Sequence, residues 1–168
     1  MKNLVSLRGA KRRSNLNRIC CSFRDCFALL VTTLFFIPGL SHADTIFPQV
    51  CHQDKCVSVE VVSTDADMER GLMYRTSLGQ DKGMLFVFTS DDKEQFWMKN
   101  MHFNLDILWI SSDKHIVYIG QNIPACTADP CPVYTPTQAA RYVLELNSGY
   151  TNSHQWKVGD KLDLKGVK

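Results

Sequence analysis

The sequence predicts an all-β protein, a single-domain antiparallel sandwich or barrel with one or two short helices. Three observations lead there. Seven short stretches either alternate apolar with polar residues or are apolar on both faces, the two signatures of strands. Only Thr64 to Met73 opens like a helix, with Asp67 three residues beyond a threonine cap. No repeat, low-complexity tract or linker divides the 125 residues that follow the first 43 of 168, a length that suits one domain.

The first element is a targeting segment. Lys2, Arg8, Lys11, Arg12, Arg13, Arg18 and Arg24 precede an apolar run from Phe27 to Ile37, which is the order of parts in a signal peptide. The run falls short of the ~20 residues that span a bilayer, and Pro38-Gly39 breaks it. Ser41-His42-Ala43 sets small residues where a signal peptidase reads, so cleavage is expected after Ala43. Residues 1 to 43 are therefore read as signal peptide, 44 to 56 as the N-terminal segment of the mature chain, and 57 to 168 as the single β-rich domain. An uncleaved anchor is the competing reading. A twin-arginine signal at Arg12-Arg13 is weak, because polar Ser14-Asn15 follow.

Removing that segment changes the charge. Seven of the 19 Lys and Arg lie in it but only one of the 17 Asp and Glu, which leaves 12 positive against 16 negative groups. A mildly acidic domain without basic clusters argues against nucleic acid and anionic membrane surfaces as partners. The expected partner is a small molecule or an envelope protein, met by a monomer with no membrane span after cleavage, in the periplasm or outside the cell.

Cys20, Cys21 and Cys26 leave with the signal, and Cys51, Cys56, Cys126 and Cys131 remain as two pairs of equal spacing. An even count in an exported domain reads as disulfides. Three pairings exist. Bonds 51 to 56 and 126 to 131 are preferred because each closes a short loop, while cross-loop bonds stay open. A redox dithiol or thiolate metal site is disfavoured, since the spacing is not C-x-x-C and His52 is the nearby imidazole.

Along the domain, Val57, Val59 and Val61 alternate with Ser58 and Glu60 as in a half-buried strand. The Thr64 helix follows, and Gly79-Gln-Asp-Lys-Gly83 is a turn. Met84 to Phe88 is apolar on both faces, as a central strand would be, before a polar loop from Thr89 to Glu94. Gln95 to Lys99 and Leu105 to Ile110 read as strands, the second turning through Ser111-Ser-Asp-Lys114 into Ile116 to Ile119. Residues 121 to 138 are a long Pro-rich loop holding two cysteines. Tyr142, Leu144 and Leu146 alternate with Arg141, Val143 and Glu145, and a last strand follows the Val158-Gly-Asp160 turn.

The segments Gly71-Leu-Met73, Gly83-Met-Leu-Phe-Val-Phe88, Phe96-Trp-Met-Lys-Asn100, Leu105-Asp-Ile107 and Ala140-Arg-Tyr-Val-Leu-Glu-Leu146 occur in this order. Together they resemble the uncharacterised family called domain of unknown function 192, over about residues 57 to 164. Cys126-Thr-Ala-Asp-Pro-Cys131-Pro-Val-Tyr134 is similar to a loop of exported members. The resemblance implies a compact β-sandwich or barrel-like fold and no established activity. Asn104 stands where that family often has proline, and Leu146-Asn-Ser-Gly149 where it usually has Leu-Pro-Ala-Gly, so local turn geometry is expected to differ there.

Chemically the most unusual stretch is Phe96-Trp-Met-Lys-Asn-Met-His102. Strand alternation puts Trp97 and Lys99 on one face, an aromatic beside an ammonium. Arg70 and Arg75 flank the short helix, and Asp106 interrupts an apolar strand, where a buried charge needs a partner. Arg75, Trp97, Lys99 and Asp106 are the candidate cleft for an anionic or sugar-like ligand. The plainer reading is an ion pair of Asp106 with Lys99 or Arg75 that fixes register. Met68, Met73, Met84, Met98 and Met101 with His102 are soft ligands of the kind that hold Cu(I), and Met101-His102 is the best local metal candidate. Core filling by flexible thioethers is the simpler account of the others, and no cofactor is otherwise expected. An enzyme is disfavoured: His52, His102, His115 and His154 stand in no metalloprotease spacing, and no G-x-S-x-G elbow occurs. A hydrolase built on an Asp106 and Lys99 pair remains the third expectation, after a binding module and a Cu(I)-binding protein.

Overall fold

In the computed structural model, residues 47–167 are described. The signal-peptide reading of residues 1 to 43, with Cys20, Cys21 and Cys26, lies outside them. Among the described residues no helix is long and apolar enough to cross a membrane.

Nine strands form: β1 Gln49–His52, β2 Lys55–Val62, β3 Lys82–Asp92, β4 Phe96–Trp97, β5 Leu105–Ile110, β6 Ile116–Ile123, β7 Val133–Tyr134, β8 Ala140–Asn147 and β9 Asp163–Lys165. Two short helices, α1 Asp65–Arg70 and α2 Tyr150–Ser153, accompany them. Seven strands make one sheet in the order β6, β5, β8, β3, β2, β1, β9, and β4 pairs with β7 beside it. The large sheet curls into a half-barrel, so the all-β expectation holds. A bridge between His115 and Lys161 links the start of β6 to the approach to β9.

Pairing is antiparallel with one exception. β2 and β3 run parallel, Glu60 opposite Met84 and Val62 opposite Phe86, so the sheet is mixed. The cause is local. Thr64 caps α1 by accepting from the Asp67 amide, and the helix carries the chain back to the starting edge. A parallel neighbour requires such a crossover, whereas a hairpin cannot supply one. Two other boundaries differ from the expectation. β3 continues through the polar stretch to Asp92, which pairs with Ala140 beyond an irregularity in register. The strand predicted from Gln95 to Lys99 stops at Trp97, because the chain turns where Met98 O accepts from the Met101 and Cys126 amides and Asn100 has φ 56°.

Both faces of the central strands are covered, which explains why all six residues of β5 are buried. On one face Val57, Val59, Leu85, Leu108, Leu144 and Leu146 pack with Tyr150, Trp156 and Leu162. On the other, Met84, Phe86, Ile107, Trp109 and Val143 pack beneath Leu72, Met98 and Met101. Each large side chain buried here contributes about 1.5–3 kcal/mol. Gly83 lets β3 and β8 approach, since a Cβ there would stand 2.8 Å from the Glu145 carbonyl oxygen.

Cys51 faces Cys56 across the β1 and β2 hairpin, sulfurs 2.10 Å apart, and Cys126 lies 2.07 Å from Cys131. Both pairs are at disulfide distance in the local arrangement. β1, from the segment read as N-terminal to the domain, sits inside the sheet between β2 and β9.

Asp106 is fully buried and bonds neither Lys99 nor Arg75. Its Oδ1 accepts from the amides of Asn122 (2.9 Å) and Gly149 (3.1 Å), and its Oδ2 from the Thr151 amide (2.9 Å) and hydroxyl (2.7 Å). The ion pair expected to fix register is thus replaced by backbone donors, which tie β5 to β6 and to the start of α2. Replacing Asp106 with Ala should cost about 3–5 kcal/mol, because four donors lose a charged acceptor at once. Urea denaturation measures this, and a loss near zero would contradict the structural role.

Candidate functional site

A cleft lies over the face that carries Met84, Phe86 and Trp109. Its walls are α1, the segment after it, and the turn that follows β4. Alternation in β4 turns Phe96 inward, edge-on to Phe86 (5.0 Å) and Trp109 (5.7 Å), and leaves Trp97 facing out. Trp109 in turn donates its Nε1 proton to the Glu94 carbonyl at 2.8 Å, which anchors the approach to β4. β7 completes the platform, with Tyr134 opposite Phe96 and Val133 opposite Trp97.

Tyr74 and Asn100 clasp the two walls together. The Tyr74 amide donates to the Asn100 carbonyl (2.9 Å), and Asn100 Nδ2 donates to the Tyr74 hydroxyl (2.8 Å). Both residues have positive φ, 66° and 56°. Asparagine enters that region readily and tyrosine does not, so strain is held where the cleft opens. Trp97 is 47% exposed and Tyr74 65%, unusual for aromatics on a folded surface. Lys99 Nζ lies 5.5 Å from the centre of the Trp97 ring and 3.4 Å from Asp129 Oδ1 on the Cys126 to Cys131 loop. The cleft encloses about 340 Å³, lined by Arg70, Met73, Tyr74, Trp97, Lys99 and Asn100 among others.

The structure therefore brings Trp97 and Lys99 together, as expected, and separates the other two candidates from them. Arg75 makes a two-pronged ion pair with Glu60, at 2.6 and 2.8 Å, and lines a separate groove of about 450 Å³ with Phe47, Ser58, Leu78 and Lys82. The hydrogen-bonded guanidinium holds the Glu60 carboxyl below its ordinary pKa, and Glu60 raises that of Arg75. Both groups are partly exposed, so the pair is worth only about 1 kcal/mol. Asp106 is buried on the opposite face. Of the metal candidates, Met101 is buried in the core under the cleft and His102 is exposed, so the two point into different surroundings. Among the described residues no three His, Cys, Asp or Glu side chains gather as a metal site.

Two residues escaped sequence reasoning. Tyr74 had no periodic signal. Glu145 was read as one of an alternating polar set, yet it is only 6% exposed and its Oε2 has no hydrogen-bond partner. The sheet register explains its position: Glu60, Met84, Glu145 and Ile107 form one row across four strands, on the face that the cleft covers. Burial pushes the Glu145 carboxyl up to about 8, opposed by the charge of Arg75. Val143, apolar and two residues earlier on the same face, was the available clue.

A small cavity of about 40 Å³ separates Glu145 from the cleft, bordered by Met68, Glu69, Arg70, Met73, Trp97 and Met101 with neighbouring apolar residues. Glu69, Arg70, Met73 and Trp97 also line the cleft, so the two spaces share a wall.

With this architecture in view, comparison with known proteins defines the class. The chain belongs to the family domain of unknown function 192, Uncharacterized ACR, which matches residues 48–164. Among solved structures it is similar to a proposed transcription regulator from Sinorhizobium meliloti at 32% identity, covering 71% of this chain and 93% of that one with a TM-score of 0.63. It is also similar to a protein of unknown function from Novosphingobium aromaticivorans at 28% identity, covering 69% and 83% with a TM-score of 0.63. No curated protein matches.

Because Glu145 keeps its proton in the folded state over a range where the unfolded chain loses it, stability should fall as pH rises from the ordinary carboxyl pKa to about 8, then level off. Glu145→Gln should remove that slope and be the more stable protein at high pH. Urea midpoints of both proteins across this range test the prediction, and parallel curves would contradict it.

Proposed function

We infer that the protein is an exported binding module that takes a small anionic ligand with a flat or ring-shaped body in the Trp97 cleft. The single observation that carries this reading is the exposure of Trp97 and Tyr74 on a concave surface that also presents Lys99 and Arg70. Large aromatics left in water beside cations are costly to keep, and a ring stacking on them while its acid group meets the ammonium uses both. Export is supported by the N-terminal signal pattern and by the two cysteine pairs at disulfide distance.

The description of the Sinorhizobium protein favours nucleic acid as a partner, and two features speak for the small ligand instead. The longer of the two helices described has six residues, too short to read a major groove, and acidic groups outnumber basic ones after residue 43.

The expected result in a thermal-shift screen of uronic acids, neutral sugars and peptidoglycan fragments is a rise in Tm of several degrees with at least one acidic compound at saturating concentration. Lys99→Ala and Trp97→Ala should each abolish it while leaving the melting point of the free protein within a few degrees. A screen without any stabilising compound, or stabilisation that survives both substitutions, would overturn the reading.

A further inference from the structure

We propose that the cavity beneath Trp97 binds one soft monovalent cation of the Cu(I) class, with the thioethers of Met68, Met73 and Met101 and the carboxyl of Glu145 as its donor set.

Four observations converge on it. Three of the five methionines beyond the initiator region border a single 40 Å³ space, and the fourth potential donor on its wall is the one carboxyl of the described domain that is buried without a full set of partners. Thioethers as core filler account for the methionines alone. They do not account for an orphaned carboxyl among them, a group whose burial costs free energy that an apolar residue would not. The space is also of the right size, since one water needs roughly 10–15 Å³ and a bare ion with no retained shell needs no more.

Charge chooses the class of ion. The elements packed around Glu145 contribute Glu69 and exposed Arg70 from α1 and its end, and Arg75, whose guanidinium is taken up by Glu60 of β2. Met84 and Ile107, its neighbours on β3 and β5, carry no charge. One carboxylate therefore balances one positive charge. A metal–oxygen contact from the Glu145 carboxylate would leave the occupied site with no net charge. A divalent ion would leave a surplus charge in an apolar surround, and thioethers favour soft ions. His102 is exposed and does not border the cavity, so it is not part of the set.

The site lies against the cleft proposed to take the anion, and Glu69, Arg70, Met73 and Trp97 border both. Silver(I) is a redox-stable probe that needs no reductant, so both cysteine pairs stay closed. The full chain carrying Cys20→Ser, Cys21→Ser and Cys26→Ser, which has no unpaired thiol left in its sequence when both pairs are closed, is titrated by calorimetry. The expected result is one equivalent of Ag(I) bound, with affinity weakened roughly tenfold or more by Met68→Leu, by Met73→Leu and by Glu145→Gln. Met98→Leu, a buried methionine off the cavity wall, together with His102→Ala and Lys99→Ala, should leave affinity unchanged. Near-UV circular dichroism confirms that each variant is folded, and Met68, only partly buried, supplies a substitution that the fold tolerates. Absence of Ag(I) binding overturns the proposal, as does binding that is indifferent to Met68→Leu and Glu145→Gln or that is lost with His102→Ala.

Discussion

The carboxylate of Asp106 is the interaction on which the architecture turns. It spends both oxygens on backbone and hydroxyl donors from three separate stretches, at Asn122, Gly149 and Thr151, and so fastens the end of β6 and the first turn of α2 to the middle of the sheet. Helix α2 has no capping side chain of its own, since Gly149 occupies that position in a left-handed conformation. Asp106 supplies the missing acceptor from another strand. Tyr150 and Trp156 are thereby held against one face of the sheet, edge to face at 5.6 Å, and that face is closed to solvent.

Closing one face leaves the other to carry the surface features. There the order of construction is visible: a packed layer of Phe86, Phe96 and Trp109 supports β4, β4 sets Trp97 outward, and the Tyr74 and Asn100 clasp fixes the rim at the expense of a strained backbone at Tyr74. The loop of Cys126 to Cys131 adds Asp129, which steadies Lys99 over the indole. Rigid aromatic support beneath and short cross-linked loops above are what a binding surface requires if its shape is to exist before the ligand arrives.

Much of this was legible in the chain. Strand positions, the helix cap at Thr64 and the local cysteine pairs follow from alternation, capping chemistry and spacing, whereas Trp97 and Lys99 meet across the turn that ends β4 and not through the alternation expected of a longer strand. The two buried carboxylates escaped for one physical cause. Residue patterns report which side of a strand is apolar but not what covers it, and here both sides are covered. Glu145 was consequently assigned with Arg141 to the polar side, and Asp106 to a cleft rather than to the interior beside Thr151. The parallel pairing of β2 and β3 was implicit in strand, capped helix, strand, yet only the crossover in space reveals the direction. Tyr74 left no trace because a positive φ at tyrosine is a product of tertiary contacts alone.

The strand order also bears on how the molecule comes into being. β8, made after most of the sheet, lies between β5 and β3, and β9, the last strand, pairs with β1, the first. Until residues beyond Ala140 have emerged, two long apolar strands stand with their hydrogen-bonding edges open, a condition that invites pairing with other chains. The sheet thus leaves β3 and β5 without their shared neighbour until β8 is available, so the two long apolar edges are sealed late in the order of the chain.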